Sequence, residues 1–453
     1  MKVLKFGGTS VGTAKNILNV KQIVESNNEP VIVVVSALGG ITDKLIATSR
    51  AAMNGDIAYK KGMNEIISRH QNMITEVIPV GSERIDLMNQ VNKLLDELYT
   101  LYNNLYETCT LSTVTENAIV SYGERLSSLI VSRLIKGAAW FDSLSFIKTQ
   151  TRHKRHELDG ELTNQLIHTV FATLPKVALV PGFISTDTKS GEITNLGRGG
   201  SDYTAAILAA ALNADCLEIW TDVNGFMTAD PRVIPSAIPI QELSYNEAEE
   251  LSKFGAKVIY PPTIYPVWHK RIPILIKNTM NPSAAGTIIK QSIYQQTNII
   301  KGISFIKETC LLSLESSYEK DVDTYLLKAL TDSGITPLLF NKLTDKNLLA
   351  IGVRREDEAL ACDILKQSLF TSSLTLKEVT HNLAVIAIVG EDVQPDFYSH
   401  LYHELSDESI EVFSSNHVDS ATTHSFMVHQ EKLLQAFELV HSSIFQQVVA
   451  TAV

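Results

Sequence analysis

Two glycine-rich segments carry residue types that could bind a phosphorylated ligand. The first, Lys5-Phe6-Gly7-Gly8-Thr9-Ser10, places a lysine at the end of a short apolar run, directly before two glycines. Glycines let backbone N–H groups approach a phosphate closely, and a lysine ammonium neutralises its oxygens. The segment lacks the spacing of a Walker A loop, so by itself it suits an ordinary strand-to-helix turn equally well.

The second segment, Gly197-Arg198-Gly199-Gly200-Ser201-Asp202-Tyr203-Thr204, opens a predicted helix. A glycine-rich turn at a helix start directs free N–H groups, and the positive end of the helix dipole, at an anion. Arg198 offers a planar fork that suits a carboxylate. Asp202 falls in the first turn, where it could cap the helix or orient a lysine. Glycine, arginine and aspartate together favour a binding site over a purely structural turn.

Four weaker candidates lie elsewhere. Thr221 to Arg232 follows a buried strand, and ligands of α/β sheets bind at strand carboxyl ends, although composition alone fits a surface turn. Lys257 follows Gly255, yet an isolated lysine is more often a solvated charge. Ser36 to Thr42 could line a polar pocket. Glu124 could pair with a ligand ammonium or simply complement a helix dipole.

The elements that must position these residues read as an α/β fold. Continuous β-branched runs without polar alternation predict strands covered on both faces, as in a parallel sheet, and amphipathic helices separate them. Residues from about 44 to 112 lack strand signals and are predicted to form a helical insertion. The predicted strands are Val3–Phe6, Val31–Val35, Val177–Val180, Cys216–Trp220 and Ile272–Ile276.

The C-terminal third shows a different pattern. Two weakly similar units of strand, helix, two strands and helix follow one another, which indicates a repeated small α+β module. The predicted strands include Cys310–Leu314 and Ile335–Phe340 in the first unit and Leu383–Val389 in the second. We therefore predict three domains: residues 1–295, 296–380 and 381–453, with the first boundary near Ser292–Thr297.

Composition excludes several classes of function. The 453 residues carry a net charge of −11, which disfavours nucleic-acid and anionic-membrane partners. The four cysteines form no C-x-x-C pair, and neither a signal peptide nor a bilayer-length apolar run is present, so we expect reduced thiols in a cytoplasmic protein. No His or Cys set predicts a metal site.

Taken together, the segments resemble the aspartate kinases of the amino-acid kinase superfamily. This resemblance implies a three-layer αβα kinase domain with a mainly parallel central sheet, followed by two ferredoxin-like ACT domains. It is carried by six ordered motifs: K-F-G-G-T-S at Lys5–Ser10, V-S-A at Val35–Ala37, G-R-G-G-S-D-Y-T-A at Gly197–Ala205, T-D-V-x-G at Thr221–Gly225, D-P-R at Asp230–Arg232 and F-G-A-K-V at Phe254–Val258.

The resemblance also implies a reaction and its residues. ATP would phosphorylate the side-chain carboxylate of L-aspartate, with Mg²⁺ bound mainly through the ATP phosphates. Lys5 and Lys257 would flank the transferred phosphoryl group, and Asp202 would hold the lysines in position. The residues implied to bind ATP are Lys5, Gly7, Gly8, Thr221, Asp222, Phe226, Asp230, Arg232 and Lys257. Those implied to bind aspartate are Ala37, Thr42, Glu124, Phe183, Arg198, Ser201 and Asp202.

The ACT pair implies an amino-acid effector, such as lysine or threonine, and a homodimer formed through these domains. Three segments depart from the family pattern: Tyr318–Asp323, Gly390–Pro395 and Asn416–Asp419. We therefore expect weak or absent feedback inhibition by lysine. We also expect no homoserine dehydrogenase domain fused after the ACT pair.

Two other functions are compatible with parts of the sequence. Arg198 and Glu124 would serve any α-amino acid, so a kinase of the same superfamily acting on glutamate or N-acetylglutamate is one alternative. A non-catalytic amino-acid sensor built from the ACT pair is the other. The sensor predicts eroded phosphate-binding residues, whereas Lys5, Asp202 and Lys257 are all present.

Overall fold

The computed structural model describes residues 1–152, 155–291, 299–316, 322–343, 348–369, 374–391, 395–415 and 422–450. They divide into two compact units. The first comprises Met1–Phe226 and Val258–Gln291, and the second comprises Met227–Lys257 and the described part of Ser292–Val453. The boundary predicted near Ser292–Thr297 lies outside the described residues, so the three predicted domain limits stay a prediction.

Helices and strands alternate through the first unit, whereas strands are longer in the second. The strands are β1 (Lys2–Phe6), β2 (Val31–Val35), β3 (Ala138–Trp140), β4 (Lys148–Arg152), β5 (Arg155–Leu158), β6 (Val177–Pro181), β7 (Ile184–Asp187), β8 (Ile193–Asn195), β9 (Cys216–Thr221), β10 (Glu242–Ser244), β11 (Ile274–Asn278), β12 (Thr287–Lys290), β13 (Ile299–Ser316), β14 (Leu339–Leu343), β15 (Leu348–Arg354), β16 (Leu374–Glu391), β17 (Val412–Ser415) and β18 (Thr423–His429). The α-helices are α1 (Ala14–Glu25), α2 (Ile41–Met53), α3 (Tyr59–Val77), α4 (Ser82–Thr108), α5 (Thr113–Leu134), α6 (Gly160–Val170), α7 (Gly200–Ala211), α8 (Tyr245–Lys253), α9 (Ile264–His269), α10 (Val322–Asp332), α11 (Glu358–Leu369), α12 (Pro395–Asp407) and α13 (Leu433–Ala450).

The main sheet of the first unit has the strand order β12-β11-β9-β1-β2-β6-β3. Every pairing from β11 to β3 is parallel, and β12 is antiparallel to β11. All five residues of β2 are buried, as expected for a central strand covered on both faces. In register, Phe6 lies opposite both Val35 and Trp220, so the carboxyl ends of β1, β2 and β9 meet at one edge.

Helices α2, α3 and α4 occupy the segment predicted to be helical, and α5 follows them. The apolar stripe of α4 is buried at helical spacing, which is the pattern of a helix packed on one face. Its buried residues are Leu87, Val91, Leu95, Leu98, Tyr102 and Leu105.

A second, small sheet has the order β5-β4-β7-β8. Strands β4 and β5 were not predicted, because they contain only four or five residues each and are rich in polar side chains. The sheet precedes the glycine-rich segment, since β8 ends at Asn195 and α7 begins at Gly200.

The second unit contains an antiparallel sheet of order β14-β15-β13-β16-β18-β17. Strands β13 and β16 are 18 residues long and pair with each other, so they are much longer than the predicted strands Cys310–Leu314 and Leu383–Val389. The predicted strand from Ile335 was wrong in its start, since β14 begins at Leu339. Pro337 precedes it, and proline has no N–H group to donate to a sheet ladder.

Each repeat of the second unit has its own apolar core. One core packs β13 and β15 against α10 and α11. The other packs β16 and β18 against α12 and α13 and also contains Ala229, Ile234 and Ala237. The segment Met227–Lys257 therefore groups with the C-terminal residues because its apolar side chains are buried among them.

No helix among the described residues combines the length and apolarity needed to cross a membrane. All four cysteines carry free thiols; Cys216 and Cys310 are buried, Cys362 is half-buried and Cys109 is exposed.

Candidate active site

The loops that leave β1, β2 and β6 extend the sheet ladder beyond its strands. The Gly7 N–H group donates to the Trp220 carbonyl at 3.2 Å, and the Ser36 N–H group donates to the Phe6 carbonyl at 3.1 Å. A Cβ atom at Gly8 would lie 3.1 Å from the Ala37 carbonyl oxygen, so glycine allows the first two loops to touch. The sequence thus brings two predicted motifs side by side at the carboxyl edge of the sheet.

A cavity of about 370 Å³ opens at this edge of the first unit. All seven residues predicted to bind aspartate line it, and so do Lys5 and Gly8. Their roles stay a prediction, but residues separated by almost 200 positions surround one space. The complete lining is Lys5, Gly8, Ser36, Ala37, Leu38, Gly39, Gly40, Thr42, Asp43, Glu124, Phe183, Gly197, Arg198, Gly199, Gly200, Ser201 and Asp202.

Lys5 and Asp202 form an ion pair at the cavity, with 2.5 Å between Nζ and Oδ1. Their side chains are 11% and 14% exposed, so water screens the pair only weakly. Lys5 comes from the end of β1 and Asp202 from the first turn of α7. This contact agrees with the interpretation that Asp202 orients a lysine.

Glu124 is a buried carboxyl group that faces the same cavity. Its side chain is 4% exposed, and Oε1 accepts a hydrogen bond from the Ala37 N–H group at 3.2 Å. Oε2 has no hydrogen-bond partner among the described residues. Burial raises the pKa of Glu124 to about 8, although the hydrogen bond from Ala37 and the charge of Lys5 oppose the shift. A buried, unpartnered carboxyl oxygen beside a cavity is suited to a cationic donor from a ligand.

The glycine-rich loop before α7 requires an unusual backbone. Gly199 is the N-cap of α7 at φ +66°, and a Cβ atom there would lie 2.3 Å from Cβ of Tyr260. Phe183 also has a positive φ, +68°, and its N–H group donates to Thr204 Oγ1 at 3.0 Å. The exposed Arg198 therefore projects from a loop held tightly on both sides.

The residues predicted to bind the nucleotide fall into both units. Thr221 ends β9, Asp222 is exposed, and Phe226 is fully buried with its N–H group donated to Thr287 Oγ1 at 2.8 Å. A buried Phe226 side chain offers no free surface to a ligand in this conformation.

The remaining predicted nucleotide residues belong to the second unit. Arg232 donates to Asp230 through Nε at 2.9 Å and Nη2 at 2.7 Å, and these hydrogen bonds lower the pKa of Asp230. Lys257 lies in an exposed turn after α8. Their roles in binding ATP stay a prediction.

Sequence reasoning did not assign Asp43, which lines the cavity from the first turn of α2. The sequence signal that could have found Asp43 is Gly40, because a glycine often precedes a helix start and Asp43 follows in the first turn. In the structure Gly40 is the N-cap of α2, at φ +82°.

Residues 1–278 match the model of the amino acid kinase family. The chain belongs to the amino acid kinase family. Lysine-sensitive aspartokinase 3 of Escherichia coli is 30% identical to this amino acid kinase over 472 residues, which cover 98% of this chain and 99% of that protein. A bifunctional aspartokinase/homoserine dehydrogenase of Buchnera aphidicola is 28% identical over 467 residues. That match covers 98% of this chain but 56% of the relative, so the chain spans about half the length of such relatives.

Solved structures support the same placement. E. coli aspartokinase III in complex with aspartate and ADP, in the R-state, has a TM-score of 0.83 and 26% identity, covering 98% of this chain and 100% of that one. The T-state complex of that enzyme with lysine and aspartate has a TM-score of 0.75 and 27% identity, covering 98% and 99%. The predicted fold class and the resemblance to the aspartate kinases are therefore confirmed.

Proposed function

We propose that this amino acid kinase is an aspartate kinase, which transfers the γ-phosphoryl group of ATP to the side-chain carboxylate of L-aspartate and forms 4-phospho-L-aspartate. The observation that carries the proposal is the single cavity lined by Lys5, Asp202, Glu124 and Arg198. The complex of E. coli aspartokinase III with aspartate and ADP supports the choice of substrates.

The polar groups of the cavity match the three charged groups of aspartate. The unpartnered oxygen of Glu124 suits the ammonium group, and the Arg198 fork suits the α-carboxylate. The side-chain carboxylate would then lie near Lys5. Because a carboxylate is already ionised at neutral pH, its attack on phosphorus needs no general base.

The chain's contribution to the transfer would be positioning and positive charge. In-line phosphoryl transfer requires the two reacting oxygens to be aligned and the charge on the equatorial oxygens to be stabilised. Lys5, held by Asp202, and Lys257 would supply this charge. Thr221, Asp222, Asp230 and Arg232 would hold the nucleotide.

Mg²⁺ would accompany ATP. No group of three or more His, Cys, Asp or Glu side chains in the described ranges could hold a metal ion. The ion would bind mainly through phosphate oxygens, as Mg²⁺ usually does at kinase sites.

An acyl-phosphate assay tests the proposed function. Hydroxylamine traps acyl phosphates as hydroxamates, so we expect hydroxamate and ADP to form with ATP and aspartate, but not with glutamate or N-acetylglutamate. Hydroxamate formed from glutamate or N-acetylglutamate instead would favour another amino-acid kinase of the superfamily. If no acceptor gives hydroxamate, the non-catalytic amino-acid sensor becomes the better interpretation.

We further propose a cytoplasmic homodimer formed through the ACT domains, in which lysine is a weak effector or none. Residues 318–321, 392–394 and 416–419 of the divergent segments lie outside the described residues. The lysine complex of E. coli aspartokinase III makes lysine the first effector to test. We expect titration calorimetry to detect no tight lysine binding and 1 mM lysine, roughly a physiological level for such ligands, to leave turnover unchanged. Tight binding with matching inhibition would contradict this expectation.

A further inference from the structure

A chain of hydrogen-bonded side chains ties the loop that carries Arg198 to helix α5. Oδ1 of Asn195, the last residue of β8, accepts a hydrogen bond from the Gly197 N–H group at 2.9 Å. Nδ2 of Asn195 donates to Oδ1 of Asn117 in α5 at 2.7 Å. One side chain thus binds the backbone next to Arg198 and a helix that lies 78 positions away in the sequence.

The chain of bonds continues into the small sheet. Asn117 is 7% exposed, and its Nδ2 lies 3.3 Å from Nε2 of His156. Nδ1 of His156 lies 3.1 Å from Oγ1 of Thr151, and that hydroxyl donates to Oδ2 of Asp187 at 2.9 Å. Thr151 and His156 are direct partners in the pairing of β4 with β5.

One arrangement of protons satisfies all these bonds. Thr151 donates to the carboxylate, so its oxygen accepts from His156 Nδ1–H, and the other ring nitrogen of His156 accepts from the Asn117 amide. Every donor then points the same way, from Asn195 to Asp187. Bonds aligned in this way polarise and strengthen one another, which makes the anchor stiffer than isolated pairs would be.

Helix α5 connects this anchor to the other side of the cavity. Asn117 and Glu124 are seven residues apart, or about two helical turns, and therefore lie on the same face of α5. Glu124 and Arg198 both line the cavity. Holding the Arg198 loop against α5 thus fixes the backbone from which the Arg198 fork extends, relative to the Glu124 carboxyl group.

We propose that Asn195 and Asn117 are positioning residues, which set the spacing between Arg198 and Glu124 for the two ends of an α-amino acid. The proposal rests on the proposed function, because it assumes that these two groups bind the acceptor. Neither asparagine lines the cavity, so neither is expected to touch the substrate.

Alanine variants test the proposal by separating acceptor binding from the rest of the reaction. In Asn195→Ala and Asn117→Ala we expect the KM for aspartate to rise about tenfold. This is roughly the change in binding that the loss of one hydrogen bond produces. We expect kcat to stay within about threefold and the KM for ATP within about twofold. Because the two side chains form one bond, the double variant should be no worse than either single variant.

Conservative variants distinguish positioning from general destabilisation. Asn117→Asp still accepts from Asn195 but no longer donates to Nε2 of His156, so its KM for aspartate should rise less than that of Asn117→Ala. Asn195→Asp cannot donate and brings two acceptor oxygens together, so it should behave like Asn195→Ala. The matched control is Asn64→Ala, an exposed asparagine of α3.

Hydrogen exchange measured by mass spectrometry adds a readout independent of catalysis. We expect amides of residues 196–201 to exchange faster in both alanine variants, whatever the acceptor proves to be. If the unmodified protein forms no acyl phosphate from aspartate, the proposed function is wrong. The exchange result then still shows whether Asn195 and Asn117 hold the loop that carries Arg198. Unchanged exchange, or equal increases in the KM values for aspartate and ATP, would overturn the positioning role.

Discussion

Replacing Lys5 by methionine is expected to lower kcat by about 10²–10³-fold, the usual cost of removing one group that stabilises charge in a transition state. Methionine keeps the length and apolar stem of lysine, so the end of β1 should remain packed. Loss of the Lys5 ammonium group leaves the largely buried Asp202 carboxylate without its ion-pair partner. We expect this to cost about 1–3 kcal/mol of the free energy of unfolding, which circular dichroism during urea titration would measure.

Three further variants make the result specific. Lys257→Met should lower kcat to a similar extent if Lys257 flanks the same phosphoryl group. The double variant Lys5→Met/Asp202→Asn should recover the free energy of unfolding but not the turnover. Lys15→Met, at an exposed position in α1, is the control. Turnover of Lys5→Met within about threefold of the original chain would remove Lys5 from the proposed chemistry, because one transition-state contact is worth far more.

The central strands and part of the cavity lining were predictable from local sequence. Val31–Val35 was predicted with its observed limits, because five consecutive β-branched residues fit only a strand covered on both faces. Arg198, Ser201 and Asp202 were recognisable because glycine, arginine and aspartate seldom occur together in a structural turn. Their meeting with Lys5 was implied by the resemblance to the aspartate kinases, and the ion pair between Lys5 and Asp202 agrees with it.

Features that depend on distant contacts were not predictable in this way. The bond between Asn117 and Asn195 joins residues from an ordinary helix and a three-residue strand, and neither segment signals the other. The burial of Phe226 follows from its packing in the folded unit, not from its motif. The grouping of Met227–Lys257 with the C-terminal unit depends on apolar partners such as Leu401 and Phe437, which lie far along the chain.

Glu124→Gln is expected to weaken aspartate binding strongly and to alter how stability depends on pH. Glutamine keeps the shape of the side chain but cannot carry the negative charge proposed to pair with the substrate ammonium. Since charge-assisted hydrogen bonds contribute about 1.5–3 kcal/mol, we expect the KM for aspartate to rise by about 10- to 100-fold at pH 8.5. The KM for ATP should change little, and Glu107→Gln, at an exposed position in α4, is the control.

The raised pKa of Glu124, about 8, gives the pH dependence its sign. Below this pH the free site is mostly protonated, so the KM for aspartate in the original chain should fall as the pH rises from 6 to about 8.5. In Glu124→Gln this trend should disappear. A KM that is independent of pH in the original chain would show that Glu124 does not bind the ammonium group as a carboxylate.

The ionisation of Glu124 that is expected to improve aspartate binding at higher pH also lowers the stability of the unliganded chain. The pKa of Glu124 is raised from 4.5 to about 8 in the folded state, so between these values the folded chain retains a proton that the unfolded chain releases. Its contribution to stability therefore falls as the pH rises through that window. We expect Glu124→Gln to gain in urea midpoint relative to the original chain from pH 5 to pH 8. A variant that is both more stable without ligand and poorer at binding aspartate would identify Glu124 as a group kept buried for its function, whereas a loss of stability at pH 8 would contradict that assignment.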